Sequence, residues 1–491
     1  MTPENTLTAD EILFALSWVV IIGALIIVPR NRRPGSATAW LMLIMLVPLL
    51  GALLFLLIGS PKLSRRRREQ QRRADALIAE RVEEIRANPA LAPMFDPEVS
   101  PRYQPFVQLN WELGRMPVCS RNHVELIADY DEALRRLTAA VDQATAFVHV
   151  EFYILALDPA TEPFFAALER AVRRGVSVRL LADYMGSRWV RGRAKTIERL
   201  DRSGIDWHWV LPVRPQYNAW NRPDLRNHRK IVVLDGHTAY TGSMNMIESS
   251  YLRRGNERRG RHYVETLAEV TGPAVLALNA VFLTDWYSEK DALVTMPPPP
   301  RPQSDWNGPA LCQILPSGPG YDNDNNLKLF TSLIHAATRT VVITTPYFVP
   351  DESLMTAVTS AAQRGVAVTL LTGAVTNEIF VKHAQHSYYE ELLRAGVRIF
   401  RMRDPAILHA KHMSIDDDIA VVGSSNLDMR SFTLNLEVTL VAYDAGVVTD
   451  LRRVEREFLA RSDELTAEEW DRRWLPGRVL DNIARLTAAL Q

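Results

Sequence analysis

The residues able to do chemistry in this 491-residue chain come in two matched sets. NHRKIVVLDGHTAYTGSMN, 227–245, carries His228, Lys230, Asp235, Gly242, Ser243 and Asn245. HAKHMSIDDDIAVVGSSN, 409–426, carries His409, Lys411, Asp416, Gly423, Ser424 and Asn426. Both spell H-x-K-x4-D-x6-G-S-x-N, and the two copies lie 181 residues apart. One H-x-K-x4-D arises by chance in roughly one such chain in a hundred, so alone it is weak evidence. Two copies with the same tail are strong evidence. The chain has seven lysines and fifty arginines, yet lysine fills this position both times.

In a strand, residues i and i+2 share a face, which places His228 beside Lys230 and His409 beside Lys411. Asp235-Gly236 and Asp417-Asp418 have turn chemistry, so each motif reads as a β-hairpin. The return strands then bring Ser243 and Asn245, or Ser424 and Asn426, alongside. Two such hairpins packed face to face gather two imidazoles, two ammonium groups and two carboxamides. That inventory suits a phosphoryl centre. Lysines neutralise non-bridging oxygens, and Ser and Asn add neutral hydrogen bonds. One imidazole can attack phosphorus while the other protonates the leaving oxygen. The expected catalytic set is His228, Lys230, Asp235, His409, Lys411 and Asp416. A strand-end aspartate beside a turn also fits the simpler task of fixing the hairpin. No cluster with metal-ligand spacing accompanies the set, so the scheme asks for no metal and no cofactor.

The elements that hold these motifs repeat as well. AFVHVEFYI (146–154), a helix and RRGVSVRLLAD (173–183) match RTVVITTPYFV (339–349), a helix and QRGVAVTLLTG (363–373). The helices space Phe164, Phe165, Leu168 and Val172, or Leu354, Val358 and Ala361, on one face. Alternating strands and helices of this kind predict an α/β fold, a sheet layered with helices. The proline-rich run MPPPPRPQSDWNGP (296–309) reads as a stiff linker between the halves.

The N-terminus differs in kind. Residues 12–28 and 37–59 carry no charge, and a bilayer core of about 30 Å needs roughly twenty apolar residues. The acidic leader with Glu4, Asp10 and Glu11 argues against a cleaved signal peptide. The expectation is a membrane hairpin of two apolar helices, transmembrane or re-entrant, with both ends on the cytoplasmic side. Between Pro61 and Asp75 seven basic residues outnumber two acidic ones, which suits anionic headgroups or a solvated helix. Formal net charge is zero, so a globally basic nucleic-acid binder is not indicated. Cys119 and Cys312 are too few for a disulfide framework. Trp189, Trp207, Trp209 and Trp220 divide between core packing and a bilayer interface. Val479, Ile483, Leu486 and Leu490 give the last helix one apolar face. The expected boundaries are 1–60 for the hairpin, 61–104 for a basic connector, 105–296 for the first domain, 297–309 for the linker, 310–477 for the second domain and 478–491 for the C-terminal amphipathic helix.

The duplicated motif resembles the signature of the phospholipase D superfamily, over residues of about 105 to 480. RRPGSATAWLMLIMLVPLLGALLFLLIG, EFYI, LRNHRKIVVLDG, LPSGP, TPYFVPD, HAKHMSIDD and GSSNLDMRSFTLNLE narrow it: the layout is similar to the bacterial cardiolipin synthases. The resemblance implies two phospholipase D-like domains with the active site at their interface. It implies transfer of a phosphatidyl group from one phosphatidylglycerol to another through a phosphohistidine, giving cardiolipin and glycerol. A membrane-bound phospholipase D that passes the group to water is the alternative. By the habit of the superfamily His228 is the nucleophile and His409 the acid and base. A carboxylate downstream of each motif orients an imidazole, and Glu437 and Glu265 match those positions. Glu265 lies in Tyr263-Val264-Glu265, where many relatives have Trp-x-Asp. Ser243, Asn245, Ser424 and Asn426 line the phosphate. The implied partners are phospholipids and the membrane, with no nucleic acid. The implied location is the bacterial inner membrane, with the catalytic domains facing the cytoplasm.

Overall fold

The computed structural model describes residues 8–30, 32, 34–59, 62–214, 219–290 and 306–486. They form two compact units, 1–62 and 63–491. In the first, helix Ala9–Ile27 opens on a capping box, with Thr8 and Glu11 each accepting from the other's backbone N–H. Its span Asp10–Ile27 is long and apolar enough to cross a membrane. The second apolar run departs from expectation. It is two short helices, Pro34–Leu46 and Pro48–Ile58, broken at Val47. Pro48 has no N–H to donate and disfavours helical geometry in the residue before it. The expected pair of helices is therefore three. They pack around Ala24, Val28, Ala37, Trp40 and Ile44. Gly51 permits the close approach, because a Cβ there would lie 2.8 Å from the Ile44 Cα.

The second unit is built on one continuous mixed sheet, sixteen-stranded among the described residues. Each half has a parallel core, Phe147–Phe152, Ser177–Asp183 and Asp206–Val210 in one, Thr340–Thr344, Ala367–Gly373 and Arg398–Met402 in the other. Each core is flanked by its motif hairpin, Ile231–Leu234 with Thr238–Gly242, and His412–Ile415 with Ile419–Gly423. The register repeats: Val148 faces Leu234 as Val341 faces Ile415. The halves join where Val118–Ile127 runs antiparallel to Ala310–Ser317, with Cys119 opposite Cys312. Helices layer on the sheet. Helix Glu162–Arg173 buries Phe164, Phe165 and Leu168, and Glu352–Gln363 buries Leu354, Val358 and Ala361.

The basic connector is part of this body. Helix Arg65–Ala87 buries Ala74, Ile78, Val82 and Ile85, because its apolar residues recur at helical spacing. Arg67 is drawn inward to Glu289, at 2.7 Å. Trp207 and Trp209 pack on the first-half core, whereas Trp189 is exposed; the Trp220 side chain lies outside the described residues. Residues 297–305 of the expected linker also lie outside them, as do 291–296 before it. The last helix, Leu475–Leu486, is pinned through Asp481, which accepts from His383 (2.7 Å) and pairs with Arg473. Its Val479, Leu480 and Ile483 face outward, and residues 487–491 are outside the described set.

Candidate active site

Two short parallel strand pairs cross between the halves. Arg226–Asn227, just before the first motif, pairs with Asn435–Leu436, just before Glu437. His262–Val264, just before Glu265, pairs with Ala406–Leu408, just before the second motif. Backbone bonds continue each pair by one residue: the His228 N–H donates to the Leu436 carbonyl (2.9 Å), and the His409 N–H to the Val264 carbonyl (2.8 Å). Each histidine is thus set beside the carboxylate of the opposite half.

The side chains follow the backbone. His228 Nδ1 lies 3.0 and 3.1 Å from the Glu437 carboxylate oxygens. His409 Nδ1 lies 2.7 and 2.9 Å from those of Glu265. The extra methylene of Glu265 is accommodated, since its oxygens reach the ring. With Nδ1 held by a carboxylate, Nε2 of each imidazole is left for chemistry. Lys230 Nζ donates to the His228 carbonyl and Lys411 Nζ to the His409 carbonyl, each at 2.6 Å. The same lysine-to-carbonyl contact recurs in both halves, just before each hairpin strand begins. All four side chains are buried.

Burial sets the charges. It pulls the Lys230 ammonium down to about 7 and the Lys411 ammonium to about 8, against the pull of the two glutamates. It lowers His409 to about 4, although Glu265 works the other way. His228 falls well below its ordinary value through burial and the nearby Lys230, Lys411 and His409. Glu437 rises to about 7 by burial. Glu265 feels the same burial but ends below its ordinary value, because His409 and Lys411 outweigh it. Burial thus favours the uncharged form of both imidazoles and weakens the hold of both lysines on their protons.

The Gly-Ser tails brace the carboxylates. A Cβ at Gly242 would meet the Thr266 carbonyl at 2.3 Å, and one at Gly423 the Val438 carbonyl at 2.5 Å. Only glycine lets the return strand pass so close to the residue after each glutamate. Ser243 Oγ accepts from the Thr266 N–H (2.9 Å) and Ser424 Oγ from the Val438 N–H (3.0 Å). Ser424 Oγ also donates to Glu437. The asparagines diverge. Asn245 Nδ2 donates to the Tyr251 hydroxyl (3.0 Å) and its Oδ1 accepts from the Ile154 N–H (3.1 Å). Asn426 Nδ2 donates to Asp428 (3.1 Å), and its Oδ1 is buried without a hydrogen-bond partner.

Asp235 and Asp416 do not join the site, which corrects their place in the expected catalytic set. They sit at the far end of each hairpin with φ of 54° and 48°. Asp235 accepts from the backbone N–H groups of Thr145, Ala146 and Phe147 at 2.8–2.9 Å. Asp416 accepts from those of Thr338, Arg339 and Thr340, and from Arg102 (2.8 Å). Each pins its hairpin to the start of the parallel strand beside it.

Three groups at the site carry no mark in the motif. Tyr251, with φ of 58°, donates its hydroxyl to Glu265 (2.7 Å) and stacks on Tyr263. Tyr153 stands edge-on to His228, with ring centroids 4.8 Å apart. Arg229, fully buried between the motif His and Lys, donates to the Glu437 carbonyl (3.0 Å) and pairs with Asp285. The place of Arg229 between the motif His and Lys is its only distinction in the sequence.

Comparison with known proteins bears on this arrangement. A family model described as cardiolipin synthase, phospholipase D-like domain, matches residues 137–286 and 330–460. A second, described as phospholipase D-nuclease N-terminal, matches residues 12–60. Cardiolipin synthase A of Proteus mirabilis (strain HI4320) is 31% identical over 474 residues, covering 96% of either chain. Cardiolipin synthase A of Yersinia pseudotuberculosis serotype O:1b (strain IP 31758) is 32% identical over 470 residues, covering 95% of either chain. The crystal structure of phosphatidylserine synthase from Haemophilus influenzae Rd KW20 superimposes with a TM-score of 0.58 at 13% identity, over 80% of this chain and all of that one.

Proposed function

We infer the function of this chain from its family: it belongs to the cardiolipin synthases of the phospholipase D-like proteins. The reading is that it transfers a phosphatidyl group from one phosphatidylglycerol to a second, giving cardiolipin and glycerol. The observation that carries it is the crossed pair of buried imidazole–carboxylate contacts, flanked by two buried ammonium groups.

His228 Nε2 attacks the phosphorus of the first lipid. The bond to the headgroup glycerol oxygen breaks, and His409, which takes up a proton as the lipid's phosphate anion enters, gives that proton to the oxygen. The phosphatidyl group then sits on His228. A glycerol hydroxyl of the second lipid attacks phosphorus, His409 takes its proton, and the nitrogen–phosphorus bond breaks. Lys230 and Lys411 hold the non-bridging oxygens throughout, so charge is met by fixed cations in a site with little water. Glu437 and Glu265 orient the rings and steady the imidazolium that forms. The scheme needs no metal. A two-step transfer fits a single pocket because donor and acceptor enter by the same path in turn. The helices of residues 1–62 anchor the chain in the inner membrane, with the catalytic body on the cytoplasmic side.

The test is the purified chain in phosphatidylglycerol vesicles with a chelator present and lipid products analysed. Cardiolipin with an equal amount of free glycerol is expected. Phosphatidic acid without cardiolipin would assign water as the acceptor, and a requirement for added divalent metal would overturn the metal-free scheme.

A further inference from the structure

Tyr251 and Tyr263, which wall His409, belong to a buried cluster with Ala156, Ile247 and Ile407. Three surface segments pack on it, through Val190, Leu252 and Val375. Each carries an unusual surface. The loop after strand Ser177–Asp183 also rests on the Tyr153 carbonyl through Ser187 (3.3 Å), and at its tip Trp189 is 80% exposed. The segment after Val375 donates to the Tyr263 hydroxyl from Asn377 (2.7 Å), then opens a helix with Ile379 and Phe380 69% and 74% exposed. Between them, Arg253 and the short helix Arg254–Arg259 present arginines to solvent.

The acids of this rim already have cations. Glu257 pairs with Arg191, Glu378 with Arg253 (3.4 Å) and Asp404 with Arg261 (2.7 Å). No ion pair among the described residues engages Arg254 or Arg258, and the Arg188 guanidinium lies over the Trp189 ring at 4.9 Å. Large apolar tips in water beside surplus positive charge mark a binding surface. An aromatic tip flanked by arginine is the pairing that suits the headgroup boundary of a bilayer. A nucleic-acid backbone would meet the charge but leave Ile379 and Phe380 in water.

We propose that this rim docks the catalytic body on an anionic phospholipid bilayer, with Trp189, Ile379 and Phe380 entering the interface and Arg254 and Arg258 on the headgroups. The inference rests on the phosphatidyl-transfer reading and names the surface through which its lipid arrives. It places the tyrosines beside His409 next to the membrane, so that a lipid phosphate enters without leaving the interface.

The test uses the 491-residue chain reconstituted in phosphatidylcholine vesicles with and without phosphatidylglycerol. Cys119 and Cys312 are buried, so one introduced cysteine takes an environment-sensitive fluorophore. Labels at Trp189→Cys and Phe380→Cys are expected to be quenched by lipid-borne nitroxide, more strongly with phosphatidylglycerol present. A label at Arg394→Cys, at the other end of the same helix, stays in water. The double variant Arg254→Glu/Arg258→Glu is expected to weaken quenching and to raise the apparent KM on phosphatidylglycerol vesicles by about tenfold, with turnover of micellar substrate unchanged. Labels at 189 and 380 as water-exposed as at 394 would overturn the docking surface, and continued cardiolipin formation in that case would leave the reaction standing. Quenching without any lipid turnover would keep the surface and remove the reaction. Reversal of the quenching by a DNA duplex at fixed ionic strength would assign the rim to nucleic acid instead.

Discussion

His228 and His409 hold equivalent places in the repeat but rest on different ground. Beneath the first motif lies a buried network of charge. Arg229 pairs with Asp285, Arg226 lies 3.4 Å from Asp183, and Asn227 donates to Glu151 and Asp285. Beneath the second lies hydrocarbon: Ala410 stands where Arg229 stands in the first, among Val264, Leu371, Met402, Leu408 and Phe458. The carboxylates differ as well. Glu265 is held below its ordinary range with a tyrosine hydroxyl on it, and Glu437 is raised to about 7. Duplication has kept the reactive side chains and let their supports drift apart. Two chemically unlike imidazoles are what a two-step transfer with separate nucleophile and acid requires.

The largest effect expected is on the histidines themselves. His228→Ala and His409→Ala each lower cardiolipin formation by about 10³-fold. They part on a lipid whose leaving group is p-nitrophenolate, which needs no proton to depart. His409→Ala is expected to release a burst of nitrophenol and stall as the covalent enzyme, and His228→Ala to release none. The reverse pattern would exchange the two roles.

Breaking the charged bed comes next. Arg229→Met leaves Asp285 buried and unpaired, at a cost of about 3–5 kcal/mol, seen as a lower Tm in detergent. Ala410→Gly, at the matching position, costs about 1 kcal/mol or less. Equal losses would mean that the two beds are equivalent after all.

The carboxylates sharpen the comparison through pH. Glu437 must be ionised to hold the His228 Nδ1–H, so kcat/KM rises with pH through about 7. Lys230 and Lys411 lose their protons at about 7 and about 8, so activity falls again above that, and both limbs belong to the coupled cluster. Glu437→Gln is expected to cost about 10²-fold and to erase the rising limb. Glu265→Gln lowers the rate but keeps the limb. The sign for stability is opposite. A carboxyl whose folded pKa is raised stabilises fully below the ordinary range, and that contribution is lost as pH rises towards 7, so the wild-type Tm falls over that window more than that of Glu437→Gln.

Much of this was legible in the chain. Periodicity and spacing predict the layered sheet and the paired hairpins, because short apolar runs mark the strands Ile231–Leu234 and Ile419–Gly423. Spacing is silent on which half a side chain will face. The crossing of Glu437 to His228 and Glu265 to His409 depends on strand pairs of two and three residues, too short to leave a pattern. Tyr251 was hidden in an arginine-rich segment that reads as solvated. The run 37–59 reads as one apolar helix, and Pro48, with no N–H to donate, breaks it in two.

The smallest effect separates the two motif aspartates. Neither touches the site, so Asp235→Asn and Asp416→Asn are expected to leave the rate per folded molecule within about twofold. Both lose stability, because an amide Nδ2 cannot accept the backbone N–H groups that the second carboxylate oxygen receives. Asp416→Asn loses more, about 1.5–3 kcal/mol, since it also gives up the charged partner Arg102. Acid resolves them the same way. Burial would raise both carboxyls, but the backbone donors at 145–147 and 338–340 hold them below their ordinary value, Asp416 the further because Arg102 adds to them. A depressed carboxyl stabilises above its unfolded pKa of about 3.9, and that stability is lost as pH falls through the folded value. Melting curves of wild type and Asp416→Asn should therefore begin to converge only below about pH 4, and the convergence should continue to lower pH than for Asp235→Asn. A fall in activity of the folded Asp235→Asn chain approaching that of His228→Ala would return the aspartate to the chemistry.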